Sequence, residues 1–302
     1  MPSKAFVKIR RLLKVARFMD KVMRRQVTPL GLRENMQKNI AATEPDDVAY
    51  REVDAGGVPS AWLVPENYDG RIRVLHLHGG GYTAGNIDTH RGYAGHLAKA
   101  SGAAVLVADY RLAPEDVFPA ALEDGLTAYR YMRGNGPDGA GEAERLIIGG
   151  DSAGGGLTLA VLMALRDAGE AMPDGGSLLS PWADLVAENE TMKTRAKTDL
   201  LVAQKWLKVC AGAYDGGVDR ADPRLSPIFG DFSGLPPLDI HVGDAEVLLG
   251  DSLGVAEKAK AAGVSVTLEV WPEMQHIWQV LWPFLPEGAA AVQKAAAFVR
   301  GD

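Results

Sequence analysis

Gly150-Asp151-Ser152-Ala153-Gly154 fits the pattern G-x-S-x-G. Small residues two positions to either side of the serine let a strand and the following helix approach closely. The serine can then occupy a sharp, strained turn with its hydroxyl exposed. A helix starting just after it aims the positive end of its dipole at any oxyanion that forms there. A hydroxyl is a weak nucleophile near neutral pH, so such a site also needs a base within hydrogen-bond reach. The chemistry in view is acyl transfer. The competing reading is a glycine-rich turn capping an ordinary helix, and the motif alone does not decide between them.

A second run, His78-Gly79-Gly80-Gly81, follows a strand-like segment. Glycines there let backbone N–H groups point at a substrate oxygen. Two such donors and the N–H of Ala153 would form an oxyanion hole. His78 reads as a prop for the loop rather than a base. Gly79 to Ala84 also fits G-x-G-x-x-G/A, a dinucleotide fingerprint. That reading is the poorer one: two strands precede the run, helical signal resumes only near Ile87, and Asp109, the would-be ribose ligand, belongs to another motif.

The base is sought among six histidines. His76 and His241 lie in strands, His78 starts the glycine run, and His90 and His96 fall on the helix after it. Only His276 lies in a loop beyond the last strand. The chain order nucleophile, acid, histidine also selects it. The acid should follow the strand Leu238 to Val242, where Asp244, Glu246 and Asp251 compete. Asp251, just before Ser252 and Leu253, reads as a cap of the next helix.

Such residues need a scaffold that brings several loops together at one edge. Candidate strands are Val48–Val53, Ala61–Val64, Arg73–Leu77, Ala104–Ala108, Arg145–Ile148, Ser177–Ser180, Leu238–Val242 and Val264–Val270. Candidate helices are Ile87–Ala100, Pro119–Met132, Ala153–Ala168, Ser252–Ala262 and Ala289–Arg300. The alternation implies a mostly parallel sheet with helices on both faces and an active site at the carboxyl ends of the strands. Residues 1–45 read as helical, and 184–222 contain helical sequence without a strand. These two segments are expected to form a cap over a core made of 46–183 and 223–302. Phe18, Met19, Leu201 and Trp206 could line a pocket beneath it, or simply pack the lid on the core.

Composition narrows the classes. The chain has 302 residues and a formal net charge of -7, which disfavours a broad nucleic-acid surface. Its one cysteine, Cys210, cannot form an intrachain disulfide and reads as buried and inert. Basic residues interrupt the N-terminus every few positions, so no signal-peptide core is visible, and a cytoplasmic location is expected. That segment patterns as a basic amphipathic helix with Phe6, Ile9, Leu13, Ala16 and Met19 on one side. It could attach to a membrane surface, although packing over the domain is the favoured reading, and stable membrane insertion is not expected.

Several stretches together resemble the hormone-sensitive-lipase family of bacterial esterases. They are His78 to Gly81 (HGGG), Gly150 to Gly155 (GDSAGG), Tyr110-Arg111-Leu112-Ala113-Pro114-Glu115, and Ser180-Pro181-Trp182. Their order and spacing agree from about residue 50 onward. The resemblance implies an α/β-hydrolase fold with a helical cap and hydrolysis of short-chain carboxylic esters. It implies Ser152 as nucleophile, His276 as base, and Gly80, Gly81 and Ala153 as oxyanion donors. Aligning Val247-Leu248 with the Pro-Leu of the family's D-P-L-R-D stretch puts Glu246 at the acid position. Tyr110 to Glu115 would brace the site, with Arg111 and Glu115 an ordinary ion pair. No metal or cofactor is called for, and the partner is a small-molecule ester. An amidase or deacetylase with the same residues is the alternative, and a non-catalytic receptor a more distant one. A homodimer through the edge strand Val264–Val270 is a further expectation.

Overall fold

The computed structural model describes residues 2–22, 28–39 and 45–302. Eight strands form one sheet: β1 (Val48–Asp54), β2 (Pro59–Pro65), β3 (Ile72–Leu77), β4 (Ala104–Ala108), β5 (Arg145–Asp151), β6 (Gly175–Leu179), β7 (Leu238–Gly243) and β8 (Val266–Trp271). Their spatial order is β1-β2-β4-β3-β5-β6-β7-β8. β2 runs antiparallel to β1 and β4, and every other pairing is parallel. The central strands are apolar runs such as Ala104-Val105-Leu106-Val107-Ala108, buried throughout, as strands covered on both faces must be.

Helices α3 (Ile87–Ser101) and α9 (Pro286–Arg300) cover one face, burying Tyr93, Leu97, Val292 and Val299. On the other face lie α4 (Ala120–Gly134), α5 (Ala153–Asp167) and α8 (Leu249–Ala261), with Leu122, Tyr129, Leu157, Leu162 and Val255 in the core. The chain leaves β3 for β4 on one side and reaches β5 on the other. The order therefore reverses between β3 and β5, and loops leaving their carboxyl ends diverge around a crevice. The His78–Gly81 run and Ser152 follow these two strands.

The helices outside the layers are α1 (Lys4–Val22), α2 (Pro29–Asn39), α6 (Thr191–Thr194) and α7 (Gln204–Tyr214). α2 is tied down by Arg33. Its guanidinium donates to the carbonyls of Thr83 and Ala113, each at 2.9 Å, and forks onto Glu115 at 2.9 and 2.8 Å. The ion pair expected between Arg111 and Glu115 is thus replaced by two others. Arg111 lies against Asp124, which also accepts its backbone N–H at 2.8 Å, while Glu115 faces α2. The stack of Tyr214 on Tyr82, with centroids 4.0 Å apart and planes 1° from parallel, joins α7 to the loop after β3.

α1 packs through Phe6 and Ile9 onto Met274, Trp278 and Leu285. Ala16 and Met19, expected on the same side, are exposed instead. Leu13 is half-buried, and beyond it the helix touches the fold through Arg17, which is half-buried and donates to the Ala196 carbonyl at 2.8 Å. Phe18 is also exposed, whereas Leu201 and Trp206 are half-buried.

Asp251 also differs from expectation. α8 begins at Leu249, so Asp251 sits inside its first turn rather than ahead of it. Its Oδ2 accepts the N–H groups of Ala183 and Asp184 at 2.9 Å, and its Oδ1 accepts Asn189 Nδ2 at 2.7 Å. Burial, reinforced by the nearby Asp184, pushes this carboxyl up to about 8. A carboxyl whose pKa rises on folding binds its proton more tightly in the folded state. Its stabilising contribution is complete below the ordinary carboxylate range and fades as pH climbs toward the folded value. Asp251→Asn keeps the shape without the titration. Thermal denaturation should show wild-type Tm falling between about pH 4 and 8 and levelling above that, with a flatter profile in the variant; parallel profiles would assign the pH dependence elsewhere.

Candidate active site

β5 runs three residues past the expected end at Ile148, so Ser152 follows the strand directly and α5 begins at the next residue. Ser152 has φ 54° and ψ -120°, a strained conformation for a residue with a Cβ. The turn is held from both sides. Its N–H donates to the Leu179 carbonyl at 2.8 Å, and its carbonyl accepts the N–H of Trp182 at 2.8 Å and of Gly155 at 3.0 Å. A Cβ on Gly154 would collide with the carbonyls of Leu77 and His78, which explains the small residue there.

The loop after β3 depends on glycine at Gly80, where φ is 121° and a Cβ would strike the Ala84 carbonyl. The Gly80 carbonyl turns away to accept the N–H groups of Thr83 and Ala84 at 3.2 and 3.0 Å. Beneath the loop, Asp151 accepts the Gly79 N–H at 3.0 Å. Asp151 is buried, which alone would favour its neutral form. His90 and His76, whose Nε2 atoms lie 3.5 and 3.2 Å from its Oδ1, outweigh that and hold it well below the ordinary carboxylate range. Burial likewise opposes protonation of His90, but the charge of Asp151 prevails and raises it. His78 is different. Burial and the neighbouring His90 lower it to about 3, so it stays neutral. Its Nδ1 donates to the Gly79 carbonyl at 2.9 Å, and its ring stacks on Tyr110 with centroids 4.2 Å apart.

His276 and Glu246 meet at the far side. His276 Nδ1 lies 2.8 Å from Glu246 Oε2. Glu246 is fully buried, and its other oxygen accepts the Gly243 N–H at 2.6 Å and the Ser180 hydroxyl at 2.8 Å. Burial pushes the Glu246 carboxyl up, opposed by the bond and charge of His276. For His276, burial disfavours the imidazolium, but the hydrogen bond and charge of Glu246 outweigh it and raise its pKa above 6.5. Asp244, the competing acid, is turned elsewhere and accepts the Glu273 N–H at 2.6 Å.

Three residues that tie these parts together had no assigned role in the sequence. Ser180 reaches Glu246 with its hydroxyl, accepts the Ile277 N–H at 3.5 Å, and is adjacent to Leu179, which holds the Ser152 turn. Its signal was the Ser180-Pro181-Trp182 stretch. Asp199 is buried and accepts the N–H groups of Leu201, Val202 and Val247, tying residues 199–202 to the Glu246 loop. Gln275 does the same beside His276, accepting the Leu200 N–H at 2.7 Å and donating to the Thr198 carbonyl at 3.1 Å. Neither carried a local motif. Cys210 is buried with Sγ 3.6 Å from Thr83 Oγ1, and burial raises its thiol pKa.

A family model described as alpha/beta hydrolase fold matches residues 74–280. The chain belongs to that family. An acetyl-hydrolase of Streptomyces hygroscopicus is 44% identical over 249 residues, covering 82% of this chain and 81% of the relative. An esterase of Acinetobacter venetianus is 34% identical over 226 residues, covering 74% and 73%. Among solved structures, EstE5 soaked with p-nitrophenyl butyrate matches with TM-score 0.90 and 42% identity over 99% of this chain and 98% of its own. A hormone-sensitive lipase from a metagenome library matches with TM-score 0.92 and 35% identity over 100% and 99%. The protein is an ester hydrolase of the hormone-sensitive-lipase group, and the resemblance read in its motifs extends through the fold.

The coupling of Glu246 to His276 can be read without substrate. In a histidine NMR titration, His276 should titrate above the ordinary imidazole value in wild type and lower in Glu246→Gln, which removes the charge that raises it. Asp244→Asn should leave it in place. A shift in Asp244→Asn equal to that in Glu246→Gln would show that the observed pairing does not set the imidazole.

Proposed function

We propose that this hydrolase is a carboxylesterase acting on short-chain esters through Ser152, His276 and Glu246. The observation that carries the reading is the 2.8 Å bond between His276 Nδ1 and Glu246. It fixes the tautomer with Nδ1 protonated and leaves the Nε2 lone pair as the base. Nε2 takes the Ser152 proton as Oγ attacks the ester carbonyl carbon. The N–H groups of Gly80, Gly81 and Ala153 receive the oxyanion of the tetrahedral intermediate. Collapse breaks the bond to the alkoxy oxygen, and His276 returns the proton to the departing alcohol. Water then attacks the acyl-enzyme, again losing its proton to Nε2, and Ser152 is released with the acid product. Glu246 orients the ring and stabilises the imidazolium in both halves.

The preference for a short acyl group is supported by relatives named acetyl-hydrolase. The enzyme acts on a small-molecule ester in the cytoplasm, where its single buried thiol needs no oxidising environment. Residues 2–22, 28–39 and 184–222 act as its cap, the rest of the expected 1–45 segment lying outside the described residues, and β8, at the edge of the sheet, offers an unpaired side for a homodimer.

The test is turnover of p-nitrophenyl acetate, butyrate, octanoate and palmitate. Acetate and butyrate should be the better substrates. Ser152→Ala should abolish turnover, and Glu246→Gln should lower kcat by roughly 10²–10⁴. Asp244→Asn should remain near wild type. The acid limb of kcat/KM should follow the elevated His276 value, activity being lost as pH falls through it, because only the neutral imidazole accepts a proton. Equal loss in both acid variants would remove Glu246 from its role. Cleavage of N-acetyl amides in preference to all four esters would replace the esterase reading with an amidase.

A further inference from the structure

We propose that the outer face of α1 docks on an anionic lipid membrane. α1 uses one side, with Phe6 and Ile9, to pack on the core. At about 100° per residue, Lys4, Lys8, Arg11, Leu12, Lys14, Val15, Phe18 and Met19 fall within roughly 160° on the opposite side. All eight are exposed. The four apolar residues are large and far from covered: Leu12 63%, Val15 61%, Phe18 64% and Met19 46% accessible. None of the four cations has an ion-pair partner among the described residues. Between Lys4 and Met19 the helix carries six basic residues and no acidic one, in a chain whose net charge is -7.

This combination selects its partner. A second copy of the chain would bring two sets of uncompensated cations together. A nucleic acid would satisfy the cations and leave the apolar tips in water. An anionic bilayer accepts both: Leu12, Val15, Phe18 and Met19 enter the headgroup boundary, while the lysines and Arg11 extend to lipid phosphates. The leaflet facing the cytoplasm carries that negative charge. Among the described residues no helix is long and apolar enough to cross a membrane, so the attachment is peripheral. The helix also leans on the His276 loop, where Arg10 pairs with Glu273 and Phe6 meets Met274. Docking therefore holds that side of the molecule close to the bilayer.

The proposal is independent of the chemistry at Ser152 and is tested separately. The full chain is sedimented with sucrose-loaded vesicles of phosphatidylcholine alone or mixed equally with phosphatidylglycerol, and p-nitrophenyl butyrate turnover reports folding. Binding should require phosphatidylglycerol and weaken with salt. Leu12→Ser/Val15→Ser should reduce partitioning about tenfold. Lys4→Gln/Lys8→Gln/Arg11→Gln/Lys14→Gln should reduce it by more than about fiftyfold, each charge near the surface being worth roughly fivefold. Both variants should keep wild-type turnover of the soluble ester. An active wild-type protein that stays in the supernatant with mixed vesicles overturns the proposal. So does binding that survives both sets of substitutions, or wild-type dimers in sedimentation equilibrium that the same substitutions dissolve. Capture by an acidic protein, without vesicle binding, would assign the face to that other partner.

Discussion

Everything at this site rests on how closely three pieces of backbone approach where the sheet order reverses. The carboxyl end of β3, the carboxyl end of β5 and the first turn of α5 share a space that admits no side chain at Gly154. That exclusion goes with the tight turn at Ser152, whose φ is positive. The same approach places the start of the glycine loop beside the Ser152 turn. The start of that loop and the N-terminus of α5 therefore lie side by side, His78 and Leu77 offering the carbonyls that a Cβ on Gly154 would strike. Strain at Ser152 persists because its backbone is overdetermined: its N–H donates to the Leu179 carbonyl, and its carbonyl accepts the N–H groups of Trp182, Gly155 and Gly156.

Around this constraint, three buried carboxyls meet three different fates, set by their neighbours rather than by depth. Asp151 stays ionised between His76 and His90, and so can hold the Gly79 N–H under the glycine loop. Glu246 has one histidine, one N–H and one hydroxyl, and the bond and charge of His276 oppose the rise that burial imposes on it. Asp251 has no cation and a second carboxyl nearby, so it keeps its proton well into the neutral range. Burial pushes all three the same way; the partners decide the outcome.

The motifs made the central parts legible because their requirement is local. Gly150 to Gly154 needs only a strand, a turn and a helix in succession, and the apolar runs around it report those directly. His276 was reached by position, being the one histidine outside an element or the glycine run. The links between loops were not legible, because they join residues far apart in the chain. Arg33 to Glu115 spans 82 positions, and Asp199 to Val247 spans 48. Nothing around Arg111 told that its partner would be Asp124, one helix away, rather than Glu115, four residues on. For Asp251, the sequence pattern placed the helix start three residues late, and a carboxyl inside a first turn became a cap in front of it.

α1 shows why periodicity alone misreads a helix that is amphipathic twice over. Its hydrophobic positions do not form one stripe. Phe6 and Ile9 belong to a face that the core covers, and Leu12, Val15, Phe18 and Met19 belong to a face that it does not. Averaged around the helix, the two sets blur into a single pattern, which is how Met19 came to be grouped with Phe6. Packing on the fold explains the first set completely and the second not at all. Four large apolar side chains left in water beside cations that have no ion-pair partner among the described residues form a patch that packing does not account for. The helix that packs beside the His276 loop is thus also the one whose outer surface calls for a second, oppositely charged and partly apolar environment.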